Sequence, residues 1–254
     1  MKLGLIVPWS SPFIWTRWAD ALLNLRRPDG VDVRFFRGTG WCPARRHTDG
    51  CEKALEWGAD LLLIFGADQI APPDLLERLY AHFLQGRIPI CAMVPSRGYF
   101  AQNNGSKPFQ PLAWRWKPAR MEDGKVQARE YRGQQIDPDM IELVQVDGTT
   151  QPVHMIGSGC VMFHRDHILS MRRPWFQETV DPVTYKRYAS MDTRFIWRMQ
   201  EEASCTAWVD TGIKIQHLTD MAIDDSFQNR FEDWMDPANP NTEPEIVQHR
   251  PVTA

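Results

Sequence analysis

Residues 59–74 read ADLLLIFGADQIAPPD. The apolar run Leu61 to Phe65 stops at Gly66, a single carboxylate follows at Asp68, and Pro72-Pro73 opens the next helical stretch. An unbroken apolar run of this length, closed by glycine, predicts a strand buried on both faces. Helical patterns flank it. Upstream, ARRHTDGCEKALEWG (44–58) puts Ala44, His47, Cys51, Ala54 and Leu55 on one face, with Gly58 at the place of a C-terminal cap. Downstream, PPDLLERLYAHFLQG (72–86) begins on proline, carries Asp74 in its first turn and ends at Gly86.

The same alternation extends outward. LGLIVP (3–8) is a short apolar run that ends in Pro8, Trp9 and Ser10, and reads as a buried parallel strand followed by a loop. Residues 14–26 place Ile14, Trp18, Ala21, Leu22 and Leu25 at helical spacing. VDVRFF (31–36) alternates like a strand, and IPICAMVP (88–95) is a further buried one. Strand and helix thus alternate through residues 1–95, which predicts an α/β fold: a Rossmann-like, mostly parallel central sheet with helices on both faces. Such sheets bind ligands at the carboxyl ends of their strands. Asp68 stands just beyond one such end, and Pro8, Trp9 and Ser10 beyond another.

The remainder divides by composition. Residues 96–152 form a polar insertion, studded with Tyr99, Phe100, Phe109, Trp114, Trp116 and Tyr131 and containing one expected strand at 141–146. Long irregular segments of this kind are commonly functional or disordered, and the aromatics argue against plain disorder. Trp114 and Trp116 alternate with Arg115 and Lys117, which suits a hairpin face packed on the core better than a sugar-stacking platform. Order returns in 153–220. VHMIGSGCVMFHRDHIL reads as a strand with a Gly-Ser-Gly break and then a helix start, 192–204 as an amphipathic helix opened by Asp192, and 206–218 as a strand pair ending in His217. His164 and His167 read as surface residues, since no third ligand is near in sequence. Residues 221–254, rich in Pro, Asn and Glu, read as an irregular surface tail. The expected organisation is one domain over 1–220, with two ordered halves, 1–95 and 153–220, joined by the insertion.

Bulk properties narrow the function classes. A chain of 254 residues can bury one sizeable core. Net charge is −3 at pH 7 and the sequence pI is about 6.2, which ranks nucleic acid low as a partner while leaving a local basic patch open. No apolar stretch reaches the roughly 20 residues that cross a bilayer, so no membrane span is expected. The N-terminal apolar run is too short for a signal peptide and is broken by Pro8. Five scattered cysteines without a CxxC pair fit a reduced, cytoplasmic protein.

Taken singly, each candidate site residue has a plain structural explanation. Asp68 and Asp192 suit helix caps, and His217 suits a half-buried ring satisfied by backbone. Together they suit a cation. Mg²⁺ or Mn²⁺ takes carboxylate oxygens and substrate phosphates, and Mn²⁺ accepts an imidazole as well. One Asp with one His leaves coordination positions open for a diphosphate.

These stretches resemble the GT-A fold nucleotide-sugar glycosyltransferases, particularly the family 2-like branch of bacterial and phage proteins, over residues 1–95 and 153–220. ARRHTDGCEKALEWGADLLLIFGADQIAPPDLL is similar to the family's helix, central strand and DxD stretch. IGSGCVMFHRDHI resembles its Gly-x-Gly strand, and SMDTRFIWRMQEEASCTAWVDTGIKIQHL its second half, where an acid-led helix precedes a strand ending in His. The resemblance implies a divalent metal, Mn²⁺ or Mg²⁺, held by Asp68, the last acid of the motif, and by His217. Gly66 takes the place of the motif's first acid, so that carboxylate is missing. Asp192 matches the catalytic base of inverting members, with Met191 where Glu is common. Pro8, Trp9 and Ser10 match the loop that cradles the nucleotide base. Arg45 matches an Arg near the donor, and Arg46 replaces a frequent Asn. The implied reaction moves a sugar from a nucleoside-diphosphate sugar to an acceptor hydroxyl, with the acceptor class open and the 97–151 segment as its expected contact. Two alternatives stand beside it: a non-catalytic nucleotide- or carbohydrate-binding protein on a decayed transferase scaffold, and, ranked lower, a nucleotidyltransferase. The latter would carry a Gly-rich loop after the first strand, where this chain has PWSSP.

Overall fold

The computed structural model describes residues 1–9, 14–95, 113–116, 121–122, 125–126, 141–177, 179–180, 187–218 and 222–223. Ser10, most of the 97–151 segment and most of the tail therefore lie outside the described residues. The elements in chain order are β1 (Lys2–Pro8), α1 (Thr16–Leu23), β2 (Asp32–Gly38), α2 (Pro43–Glu56), β3 (Leu61–Phe65), β4 (Gln69–Ile70), α3 (Leu75–Leu84) and β5 (Ile90–Met93). There follow β6 (Ala113–Trp116), β7 (Met121–Glu122), β8 (Lys125–Val126), β9 (Ile141–Leu143), β10 (Thr150–Val153), β11 (Met155–Ile156), β12 (Cys160–His164) and α4 (Arg165–Ser170). The last are β13 (Thr179–Val180), β14 (Arg187–Ala189), α5 (Met191–Glu202), β15 (Ala207–Lys214), β16 (Gln216–Leu218) and β17 (Ala222–Ile223).

The main sheet has seven strands in the order β10-β15-β5-β12-β3-β1-β2. β1 is parallel to β2 and to β3, and β15 is parallel to β5. β12 runs antiparallel to β3 and β5 on either side of it, and β10 runs antiparallel to β15. The sheet is thus mostly parallel, as the βα alternation predicts, with two reversed strands that the alternation does not predict. β12 owes its central place to its composition. Cys160, Val161, Met162 and Phe163 are all fully buried, so both faces of this strand need cover.

Strand alternation sends side chains to two cores. Leu62 and Ile64 of β3 pack with Val161, Phe163, Cys51 and Ala54, and with Phe195, Ile196 and Met199 of α5. Leu61, Leu63 and Phe65 pack on the opposite face with Met162, Trp18 of α1, and Leu75, Leu76 and Leu79 of α3. Full burial of one such side chain contributes about 1.5–3 kcal/mol. Gly58 and Gly86 follow α2 and α3 at φ +83° and +74°, the left-handed conformation that favours glycine after a helix.

Three local expectations are corrected. The helix after Asp68 begins at Leu75 with Asp74 as its N-cap residue, not at Pro72, because the two-residue strand β4 intervenes and pairs with β16. The stretch 206–218 is two strands, but they do not pair with each other; β15 joins the main sheet and β16 a small sheet with β4 and β17. The strand expected at 141–146 is shortened to Ile141–Leu143 and lies in a three-stranded sheet with β6 and β11. Among the described residues, no helix is long and apolar enough to cross a membrane.

Candidate functional site

Beyond Phe65 the chain turns through Gly66, Ala67 and Asp68 into β4. The Gly66 N–H donates to Gly159 O at 2.8 Å, and the Trp18 indole Nε1 donates to Gly66 O at 2.9 Å. The strand end is therefore held from β12's side and from α1. The antiparallel pairing of β4 with β16 sets His217 opposite Gln69, and Leu218 N donates to Asp68 O at 2.6 Å. As a result His217 Nε2 lies 3.5 Å from Asp68 Oδ1.

The imidazole is buried, and its Nδ1 lies 2.7 Å from Pro95 O. A backbone carbonyl only accepts, so Nδ1 carries a proton, and Nε2 is the ring nitrogen turned toward Asp68. A metal-binding histidine is commonly oriented in this way. Asp68 and His217 fit a hard cation as two neighbouring donors, with the other positions left to phosphate oxygens and water. Among the described residues, no group of three or more His, Cys, Asp or Glu converges as a cation site.

Asp192 lies in the first turn of α5, whose N-cap residue is Ser190, so Asp192 is not the cap. The Ser190 hydroxyl donates to Asp192 Oδ1, and the Thr193 N–H donates to the same oxygen at 3.1 Å. Both bonds fall on one carboxylate oxygen and fix the orientation of the group.

A cleft of about 260 Å³ gathers Pro8, Gly66, Asp68, Asp192 and His217, joined by His47, Gln69, the Gly157-Ser158-Gly159 turn and Met191. Most of the expected set thus meets in one place, drawn from the ends of β1 and β3, the start of α5, and β16. Two expected residues lie elsewhere. The Trp9 ring packs edge-on against Trp18 at 5.2 Å and lines a separate, apolar cavity of about 570 Å³ with Leu5, Leu22, Val33 and Phe35. Arg45 does not line the cleft, and its Nη1 lies 3.6 Å from Glu52 on the half-exposed face of α2.

Three cleft residues were not singled out as site residues from sequence. His47 reads there only as part of α2's apolar face. Its Nδ1 lies 2.8 Å from Pro43 O and its ring packs on Phe176 at 4.9 Å. Burial pushes its pKa down, against the opposing pull of the Pro43 carbonyl and the Asp192 charge. Gln69 and Ser158 are both buried polar residues. Their sequence signal is weak, because Gly159, which closes over the Gln69 amide, is distant from it in the chain.

No family model matches the chain, and no curated protein matches it. Among solved structures, the crystal structure of A197 from STIV is similar, with 14% sequence identity and a TM-score of 0.54 over 88% of this chain and 89% of that chain. At this identity the likeness is one of fold.

Proposed function

We propose that the chain is a metal-dependent glycosyltransferase of the GT-A kind, moving a sugar from a nucleoside-diphosphate sugar to an acceptor hydroxyl. The observation that carries the reading is the 3.5 Å approach of His217 to Asp68 in a cleft that Asp192 also lines. Asp68 and His217 would hold Mn²⁺ or Mg²⁺, which when bound supplies charge stabilisation to the departing diphosphate. Pro95 O keeps the proton on His217 Nδ1, so that Nε2 serves as a donor without turning the ring. Asp192 accepts the proton of the acceptor hydroxyl, oriented for this by Ser190 and the Thr193 N–H. All five cysteines are free thiols, which suits a reducing, cytoplasmic setting.

A second reading, a non-catalytic binder on the same scaffold, draws on Gly66. A Cβ there would come within 2.8 Å of Gln69 Cδ and 3.0 Å of Asp68 Oδ1, so the space of a second acid is filled by an uncharged amide. Titration calorimetry of UDP and GDP, each with and without Mn²⁺, on wild type and Asp68→Ala tests both. The expected result is metal-dependent binding of one nucleotide that is lost in the variant. Binding indifferent to Mn²⁺ and to the substitution would remove Asp68 from its role. Metal-dependent binding without transfer across a broad acceptor panel would favour the second reading.

A further inference from the structure

Gln69 is 2% exposed and lines the cleft, and its side-chain oxygen is buried with no hydrogen-bond partner among the described residues. The side chain is enclosed by two glycines far apart in sequence. A Cβ at Gly159 would lie 2.2 Å from Gln69 Nε2, and one at Gly66 would lie 2.9 Å from the same atom. Only residues without a side chain leave this room. A buried acceptor without a donor destabilises the fold, and an apolar side chain of equal length would pack there without that penalty.

We propose that Gln69 is a ligand-binding residue whose side-chain amide turns to offer its oxygen to an uncharged donor, a hydroxyl or a ring N–H, on the molecule that enters the cleft. The unmet requirement is for a proton donor. An ionised phosphate brings none, so a diphosphate over the cation would not meet it. A hydroxyl brings its own proton and adds no charge. Ser158, 2% exposed and next to Gly159, adds a second hydroxyl-sized polar group to the same cleft. That the hydroxyl or N–H belongs to a nucleotide or its sugar rests on the transferase reading above.

Gln69→Met keeps the length and removes the acceptor. The test compares wild type and Gln69→Met by ligand-free thermal melting, by titration with Mn²⁺ alone, and by titration with UDP, GDP, UDP-glucose and GDP-mannose in the presence of Mn²⁺. The expected result is a ligand-free melting temperature equal to or above wild type, unchanged behaviour toward Mn²⁺ alone, and a tenfold or greater loss of affinity for at least one nucleotide that wild type binds. A lower melting temperature would overturn the proposal, because Gln69 would then be a structural group. A loss confined to Mn²⁺ would overturn it in favour of a cation ligand. Equal binding of every nucleotide that wild type binds would overturn it as well. If wild type binds none of the four, the transferase reading fails, and the ligand-free melt alone still decides whether Gln69 is kept at a cost to stability.

Discussion

His217 Nε2 lies 3.5 Å from Asp68 Oδ1, although the two residues come from opposite halves of the chain. Two short strands produce the meeting. β4 and β16 pair so that His217 stands opposite Gln69, the neighbour of Asp68, and the bond from Leu218 N to Asp68 O closes the register. Four predictions follow from this arrangement and its surroundings.

His217→Ala removes one of the two proposed metal donors and the ring that faces Pro95 O. Mn²⁺-supported nucleotide binding is expected to require at least about tenfold more metal, the scale of effect that ligand-orienting groups have at metal sites. Nucleotide titrations at stepped Mn²⁺ concentrations measure it, and an unchanged Mn²⁺ requirement would take His217 out of the site.

Asp192→Asn keeps the size of the side chain and removes the proposed base. Sugar transfer is expected to fall about 10²- to 10⁴-fold while the affinity for nucleotide with Mn²⁺ is unaffected. Steady-state kinetics with a parallel binding titration separate the two quantities. Full activity in the variant would end the assignment of Asp192 as base.

Gly159→Ala forces a Cβ to within 2.2 Å of Gln69 Nε2. The expected cost is about 1–3 kcal/mol, the usual range for overpacking a filled interior. In a Gln69→Ala background the obstruction is gone, so the same substitution is expected to cost less than half as much. Urea unfolding of the two single variants and the double variant gives the coupling, and strict additivity would mean that the amide does not fill this space.

His47 supplies a pH dependence. Burial lowers its pKa in the folded protein, so unfolding takes up a proton once the pH drops below its ordinary value of about 6.5. The neutral ring's contribution is complete above that pH and is lost as the pH falls toward the folded-state value. His47→Gln removes the titrating group, so the difference in melting temperature between wild type and variant is expected to shift against wild type from pH 7.5 to pH 5. A difference that stays constant over this range would contradict the burial effect.

Much of the fold was legible because its signals are local. Leu61 to Phe65 must be buried on both faces, Gly58 and Gly86 stop helices in a conformation other residues resist, and α2 and α5 carry their apolar faces in their spacing. The direction of β12 was not legible. An apolar run that follows a glycine satisfies a parallel and an antiparallel place equally, and the choice is made by neighbours on both sides.

The candidate site divides in the same way. Asp68, Asp192 and His217 could be named from the sequence because each stands at the end of a periodic segment, where a polar residue escapes the core pattern. The directions of their side chains, and those of Trp9 and Arg45, could not. Trp9 turns to Trp18 and Arg45 to Glu52, while His47 and Gln69 turn into the cleft. The sequence by itself determined the alternation of strands and helices and the strand ends where polar residues collect, since both follow from local periodicity. Only the tertiary structure decided that Gly66 and Gly159 enclose one amide and that His217 faces Asp68. Those contacts depend on strand pairings between distant segments, and no local pattern encodes which pairing will form.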